Sequence, residues 1–167
     1  NTGGNFCPVC VEALEKMFDR NYFGMMMVQQ GDADAFLGGT YSAAHSVGEI
    51  AKEVVGIRPT YNHFASLHII DTKRGTFFLA DTQVNKRVDA EALFDIARLT
   101  RNSVEYFAHK PVMAMLSYSN FGSSNETECR NPRIVAERMQ ELYPDLLIDG
   151  EMSINFAMNR ELRDKTF

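Results

Sequence analysis

No stretch of this 167-residue chain approaches the ~20 consecutive apolar residues of a membrane span. No basic-then-apolar leader opens it, so the expected setting is the cytoplasm and no membrane partner is expected. Runs of lysine or arginine are lacking too. With 17 basic against 22 acidic side chains the net charge is −5, so the basic footprint that a polyanionic nucleic acid needs is not there. The chain opens on Asn1 rather than Met, as a processed or excised piece would.

Cysteine is scarce. Cys7-Pro8-Val9-Cys10 has the spacing of a redox or zinc pair. A thioredoxin-like site needs a strand before the pair, and only six residues precede it. Zinc needs two further ligands, and neither a second pair nor a paired-His motif supplies them. Cys129 stands alone in what reads as a polar loop. No metal site is expected, and Cys7 and Cys10 are assigned no role. Fingerprints of other chemistries are lacking as well: no GxGxxG turn, no GxxxxGK loop and no GxSxG elbow follows any strand-like run.

The strongest positive signal is Val112-Met113-Ala114-Met115-Leu116 followed at once by Ser117-Tyr118-Ser119-Asn120-Phe121-Gly122-Ser123-Ser124. An apolar run that ends in hydroxyls, an amide and a glycine predicts a buried strand emptying into a loop at the carboxyl edge of a sheet. Ligands sit at that edge in open α/β sheets, where loop donors suit phosphate or carboxylate oxygens. An ordinary serine-rich connection has the same composition. The side chains of Ser119 and Ser123 are expected at the loop surface.

Around this strand the chain reads as alternating elements. Val11 to Asn21 carries a helical stripe at Val11, Leu14, Met17 and Phe18. Tyr22 to Val28 reads as a buried strand, the Asp32/Asp34 turn as either a metal or base position or a solvated turn, and Ala35-Phe36-Leu37 as a short strand. Ser46 and Glu49 have capping-box spacing before a helix that Gly56 stops. Asn62–Ile70 and Thr76–Ala80 predict a hairpin around Thr72-Lys73-Arg74-Gly75. Asp89 predicts the cap of a helix through Phe107, and Asn131 with Pro132 the start of another. Leu146–Ile148 is a strand running into Asp149-Gly150-Glu151, and a last helix passes through Phe156 and Met158. The fold class is α/β, a mixed and partly parallel sheet flanked by helices. If the strands are parallel neighbours, the loops 81–85, 117–124 and 149–151 meet at one edge and line one cleft. The candidate residues for an anion there are Asp81, Asn85, Ser117, Ser119, Asn120, Gly122, Ser123, Asp149 and Glu151.

The same segments carry a resemblance. Tyr22-Phe23-Gly24-Met25-Met26-Met27-Val28, Gly31-Asp32-Ala33-Asp34-Ala35, Phe78-Leu79-Ala80-Asp81-Thr82-Gln83-Val84-Asn85, the serine loop with its strand, and Asp149-Gly150-Glu151-Met152 resemble the phosphate acetyl/butyryltransferase family. Within it, they look most like the phosphotransacetylase-like C-terminal domain of bacterial NADP-dependent malic enzymes. The resemblance implies a fold related to the isocitrate/isopropylmalate dehydrogenases, with residues 1–56 in a first lobe, 57–167 in a second, and truncation at both ends. It implies a homodimer, part of a higher oligomer in a full-length protein. Phosphotransacetylases move acetyl between coenzyme A and phosphate. In the malic-enzyme version NADP and a divalent metal belong to a malic domain, which lies outside this chain, and acetyl-CoA is a regulatory signal. An arginine that the family carries in an Arg-Pro-Ala sequence is replaced here by Glu49, and the family's Ser-Arg catalytic region is not in the sequence. The expectation is therefore a catalytically inactive domain, with no catalytic residue assigned, that binds acetyl-CoA for regulation and oligomerisation. The alternatives are a fragment of an active phosphate acetyltransferase and a purely structural oligomerisation module.

Overall fold

The computed structural model describes residues 7–85 and 88–166. It divides into two compact units, Asn1–Thr60 and Tyr61–Phe167.

In the first unit, α1 (Pro8–Lys16), α2 (Arg20–Gln30) and α3 (Ala44–Val54) are the regular elements among the described residues. The expected helix over 11–21 breaks at residues 17–19. There the Asp19 carboxylate accepts the amides of Asn21 at 2.7 Å and Tyr22 at 3.2 Å and starts α2. The strand expected over Tyr22–Val28 is therefore helix, closed by Gly31 in a left-handed conformation (φ 81°). A continuous apolar run is compatible with either state, and here the cap and the stop decide. Ala35–Leu37 forms no strand; the Phe36 ring instead fills the space that a Cβ at Gly24 or Gly38 would take. The capping box also fails: α3 starts from Ala43, whose carbonyl already takes the Ser46 and Val47 amides at 3.0 and 3.2 Å. Ser46 and Glu49 thus lie inside the helix. Gly56 stops it as expected, its amide reaching the Ala51 carbonyl at 3.2 Å. Glu53 joins the three helices by accepting from Lys16 at 2.6 Å and from the Tyr22 hydroxyl.

The second unit opens with β1 (Leu67–Thr72) and β2 (Gly75–Ala80), an antiparallel hairpin at the expected turn. β1 begins later than Asn62 because that segment is tied elsewhere. The Asn62 amide and the His63 ring both bond the Asp95 carboxylate at 3.0 Å. Then follow α4 (Ala90–Tyr106), β3 (Val112–Leu116), α5 (Thr127–Leu142), β4 (Leu147–Met152), α6 (Ile154–Met158) and α7 (Arg160–Thr166). Asp89 caps α4 as expected, accepting the Ala92 amide at 2.8 Å. α5 starts earlier than expected, after Glu126, so Cys129 is buried in the helix and not in a loop, Asn131 and Pro132 are interior, and the helix forgoes the one bond a proline cannot donate.

β3 and β4 pair in parallel, joined by α5, and form a sheet separate from the hairpin. α4 and α5 supply the core against them: Ala97, Val135, Ala136 and Met139 pack with Met115, Leu146 and Ile148. Val112 and Leu147 point the other way and are exposed. β4 runs on through Met152, so the expected loop 149–151 is strand. The register passes from Met115↔Gly150 to Leu116↔Met152, which makes Glu151 a bulge residue. Gly150 is required there, since a Cβ would lie 2.5 Å from the Met115 carbonyl oxygen. Among the described residues no helix is long and apolar enough to cross a membrane.

Because the Met139 side chain is fully buried in this core, Met139→Ala is expected to cost about 2–5 kcal/mol. Val112→Ala, on the open face, should stay within about 0.5 kcal/mol. Urea unfolding of the two variants checks the contrast.

Candidate functional site

The bulge turns Glu151 inward, and its side chain has no exposed surface. A buried carboxylate needs donors on every side, and the serine loop and α5 provide them. One oxygen, Oε1, accepts the Gly122 amide at 3.2 Å. The other, Oε2, accepts Arg133 Nη2 at 2.9 Å and Nε at 3.3 Å. The Glu151 backbone carbonyl takes the Phe121 amide at 3.0 Å. Burial pushes this carboxyl up, but Ser119, Arg133 and the Gly122 amide together outweigh it and hold it below its ordinary 4.5.

The loop is folded onto this group. Phe121 and Gly122 both adopt left-handed backbone (φ 43° and 87°), which aims their amides at β4. Ser119 is buried, and its hydroxyl lies 2.6 Å from that of Ser123, which also accepts the Asn120 amide at 3.2 Å. Asn120 Oδ1 accepts the Ser153 amide at 2.8 Å and so pins the start of α6. Ser117 turns toward α5, its hydroxyl donating to Cys129 Sγ at 3.2 Å while its amide bonds the Met152 carbonyl at 2.9 Å. Burial pushes the Cys129 thiol up, and Ser117, Tyr118 and Ser124 pull it lower on balance. Cys129 and Glu126 beside the Tyr118 hydroxyl push that phenol up to about 12. The expectation that Ser119 lies at the loop surface is thus corrected. The loop closes through Glu151, which demands its donors, so Ser119 is packed inward.

The profile of the phosphate acetyl/butaryl transferase family matches residues 9–167. The chain belongs to this family. An NADP-dependent malic enzyme of Salmonella typhimurium is 38% identical over 141 residues, covering 84% of this chain and 19% of that protein. A phosphate acetyltransferase of Thermoanaerobacterium thermosaccharolyticum is 31% identical over 160 residues, 92% of this chain and 49% of that one. The crystal structure of a phosphotransacetylase from Streptococcus pyogenes superposes with a TM-score of 0.76 at 28% identity, over 92% of this chain and 48% of the other. The chain thus spans about half the length of the phosphotransacetylase and far less of the malic enzyme.

Within this member of the phosphate acetyl/butaryl transferase family, the expected site residues separate into groups. Ser117, Ser119, Asn120, Gly122, Ser123 and Glu151 meet at the carboxyl ends of β3 and β4. Asp149 is adjacent in β4, exposed, and accepts the Gly150 amide at 2.8 Å. Asp81 and Asn85 are bonded to each other at 2.9 Å, and Asn85 also to the Phe64 carbonyl at 3.1 Å. They follow β2, which pairs with β1 and not with the parallel strands, so the premise of three loops after parallel neighbours fails. Glu49 is exposed on α3 of the first unit. Among the described residues no three His, Cys, Asp or Glu gather as a metal site.

Arg133 is the residue the sequence reading missed. A Glu in an apolar strand signals a buried partner, but Arg130, Arg133 and Arg138 all lie on α5, and only the fold selects among them. A separate cavity of about 330 Å³ opens at the amino ends of these strands, beside Arg101, Lys110, Pro111 and Tyr143.

The sign of the Glu151 linkage follows from its lowered pKa. Its stabilisation is present above the unfolded value near 4.5 and is lost as pH falls through the lower folded value. Wild-type stability is therefore expected to drop below about pH 4.5, and the drop should be shallower in Glu151→Gln. Urea midpoints of both proteins from pH 6 to acid check it; parallel curves would place the acid sensitivity elsewhere.

Proposed function

We propose that this chain is the phosphotransacetylase-like domain of an NADP-dependent malic enzyme, inactive as a transferase, that binds acetyl-CoA as a regulatory and oligomerisation domain. The carrying observation is that the serine loop spends its amides and its nearby cation on Glu151. Transfer of acetyl between coenzyme A and phosphate builds negative charge that preorganised positive groups must meet. Here Arg133 is charge-compensated by a carboxylate that has no exposed surface. Glu49, at the position where the family resemblance expects arginine, is an exposed acid on α3 of the first unit. The malic-enzyme relative at 38% identity supports the assignment of the parent protein. A fragment of an active phosphate acetyltransferase would need cations that this charge arrangement withholds.

On this reading the carboxyl ends of β3 and β4 still recognise a small anion, with Ser123, Asn120 and Arg133 nearest to it. NADP and a divalent metal would be held by a separate malic domain of the whole, cytoplasmic protein. A symmetric dimer, the commonest closed assembly, is the proposed state of the chain.

Calorimetry with acetyl-CoA, together with an assay of acetyl-phosphate formation from acetyl-CoA and phosphate, tests the proposal. Saturable binding without turnover is expected. Turnover above about one per second, an ordinary enzymatic rate, would overturn the regulatory reading.

A further inference from the structure

We infer that Cys7 and Cys10, at the start of α1, form a dithiol site for thiol–disulfide exchange, in which Cys7 attacks a low-molecular-weight disulfide and Cys10 resolves the product. The site lies in the first unit and stands independently of the acetyl-CoA reading.

Neither a preceding strand nor further zinc ligands accompany the pair. Exchange needs neither, only two sulfurs within reach of each other and of solvent. Both thiols are free and exposed. Cys7 is the N-cap of α1, and Cys10 is the third residue of the helix, after Pro8 and Val9. Those are the two positions whose side chains reach back to each other's backbone in a capping box. The Cys7 carbonyl accepts the amides of Cys10 at 2.8 Å and Val11 at 3.1 Å. A turn closed by the first of these bonds holds its end Cα atoms within about 7 Å. Disulfides join Cα atoms about 4.4–6.8 Å apart, so the helix start presents the pair at bridging distance.

The two sulfurs are not equivalent. Pro8 stands at the first helical position and has no N–H, so Val9 and Cys10 carry the first amides beside the N-cap side chain. The Cys10 amide and then the Val9 amide hold the Cys7 thiol below its ordinary 9.0, with a smaller pull from the Cys10 side chain. The first turn carries no acidic residue to oppose a thiolate at this positive end of the helix. Cys7 is therefore the attacking sulfur, because exchange runs through the thiolate.

Two displacements complete the reaction. The Cys7 thiolate bonds one sulfur of the disulfide RSSR, the S–S bond breaks, and one thiolate RS⁻ leaves. The Cys10 thiolate then attacks Cys7 Sγ, the mixed disulfide breaks, and the second RS⁻ leaves. The two cysteine protons pass to the two leaving thiolates. The protein dithiol is oxidised by two electrons, and RSSR is reduced to two thiols. Excess thiol drives the same steps in reverse.

Glutathione disulfide is the probe. The reduced 167-residue chain is incubated with it near neutral pH, quenched with acid and digested with trypsin for mass measurement. Cleavage after Lys16 keeps Cys7 and Cys10 together in peptide 1–16 and leaves Cys129 in another. Wild-type peptide 1–16 is expected to lose two hydrogens and to carry no glutathione. Cys10→Ser should trap one glutathione on Cys7, about two- to tenfold faster than Cys7→Ser gains one on Cys10. In Cys10→Ser the rate should rise with pH to a midpoint below 9.0. The advantage of Cys7 should vanish in concentrated urea, where the helix start is lost. Both substitutions fall at exposed positions, so melting temperatures near that of the wild type are expected. Wild-type peptide carrying glutathione on both cysteines, or equal rates in the two folded variants, would overturn the inference. So would a Cys7 advantage that survives urea, because it would owe nothing to the helix.

Discussion

The Glu151 carboxylate has no exposed surface, so every oxygen lone pair that it keeps in the folded protein must be met from within. It draws its partners from three elements at once: its own bulged strand β4, the loop after β3, and α5. Leaving such a charge unpaired costs far more than an ordinary hydrogen bond contributes, and the local geometry follows from that. The bulge turns the side chain inward, Gly150 lets β4 approach the Met115 carbonyl, and the left-handed pair Phe121–Gly122 swings two amides toward it. Arg133 is held in one orientation for the same reason. The serine loop is thus a polar cap around a buried charge, and its capacity to meet a ligand is what that charge leaves over.

That arrangement bears on the difference between the two kinds of relative. A phosphate acetyltransferase and a malic enzyme both match this chain, the malic enzyme at the higher identity. Sharing a fold with a phosphotransacetylase does not by itself confer transfer chemistry. Electrostatics is the more discriminating criterion. At the serine loop the nearby cation is neutralised, and on α3 of the first unit a carboxylate stands where the resemblance expects a base. The proposal that the domain binds a ligand without transferring acetyl rests on the first of these charges.

Local signals made much of the second unit legible. Asp89 before a periodic apolar stripe, a four-residue polar turn between β-rich runs, and five apolar residues before a serine cluster each act within one or two turns of chain. Their elements lie where the sequence places them, although β3, expected to be buried, is covered on one face only. The apolar run Tyr22–Val28 says nothing of its own period; Asp19 and Gly31, which bracket it, carry the information. Pro132 suggested a helix start because proline suits a first turn, yet α5 tolerates it inside. The site was legible only in part. Ser117 to Ser123 and Glu151 are drawn together, but the closing contact joins Glu151 to Arg133, eighteen positions apart in sequence. No local pattern separates Arg133 from the other arginines of α5. Asp81 and Asn85 were grouped with the loop on the assumption of one sheet, whereas the strands form two.

The proposed function puts acetyl-CoA at the carboxyl ends of β3 and β4, organised by Glu151. Amide-resolved nuclear magnetic resonance of the wild-type chain during titration with acetyl-CoA tests it most directly. The account predicts saturating shifts concentrated at Asn120, Gly122, Ser123 and the residues flanking Arg133. Shifts confined to Asp81–Asn85, or to the cavity beside Arg101 and Tyr143, with the serine loop unmoved, would contradict it.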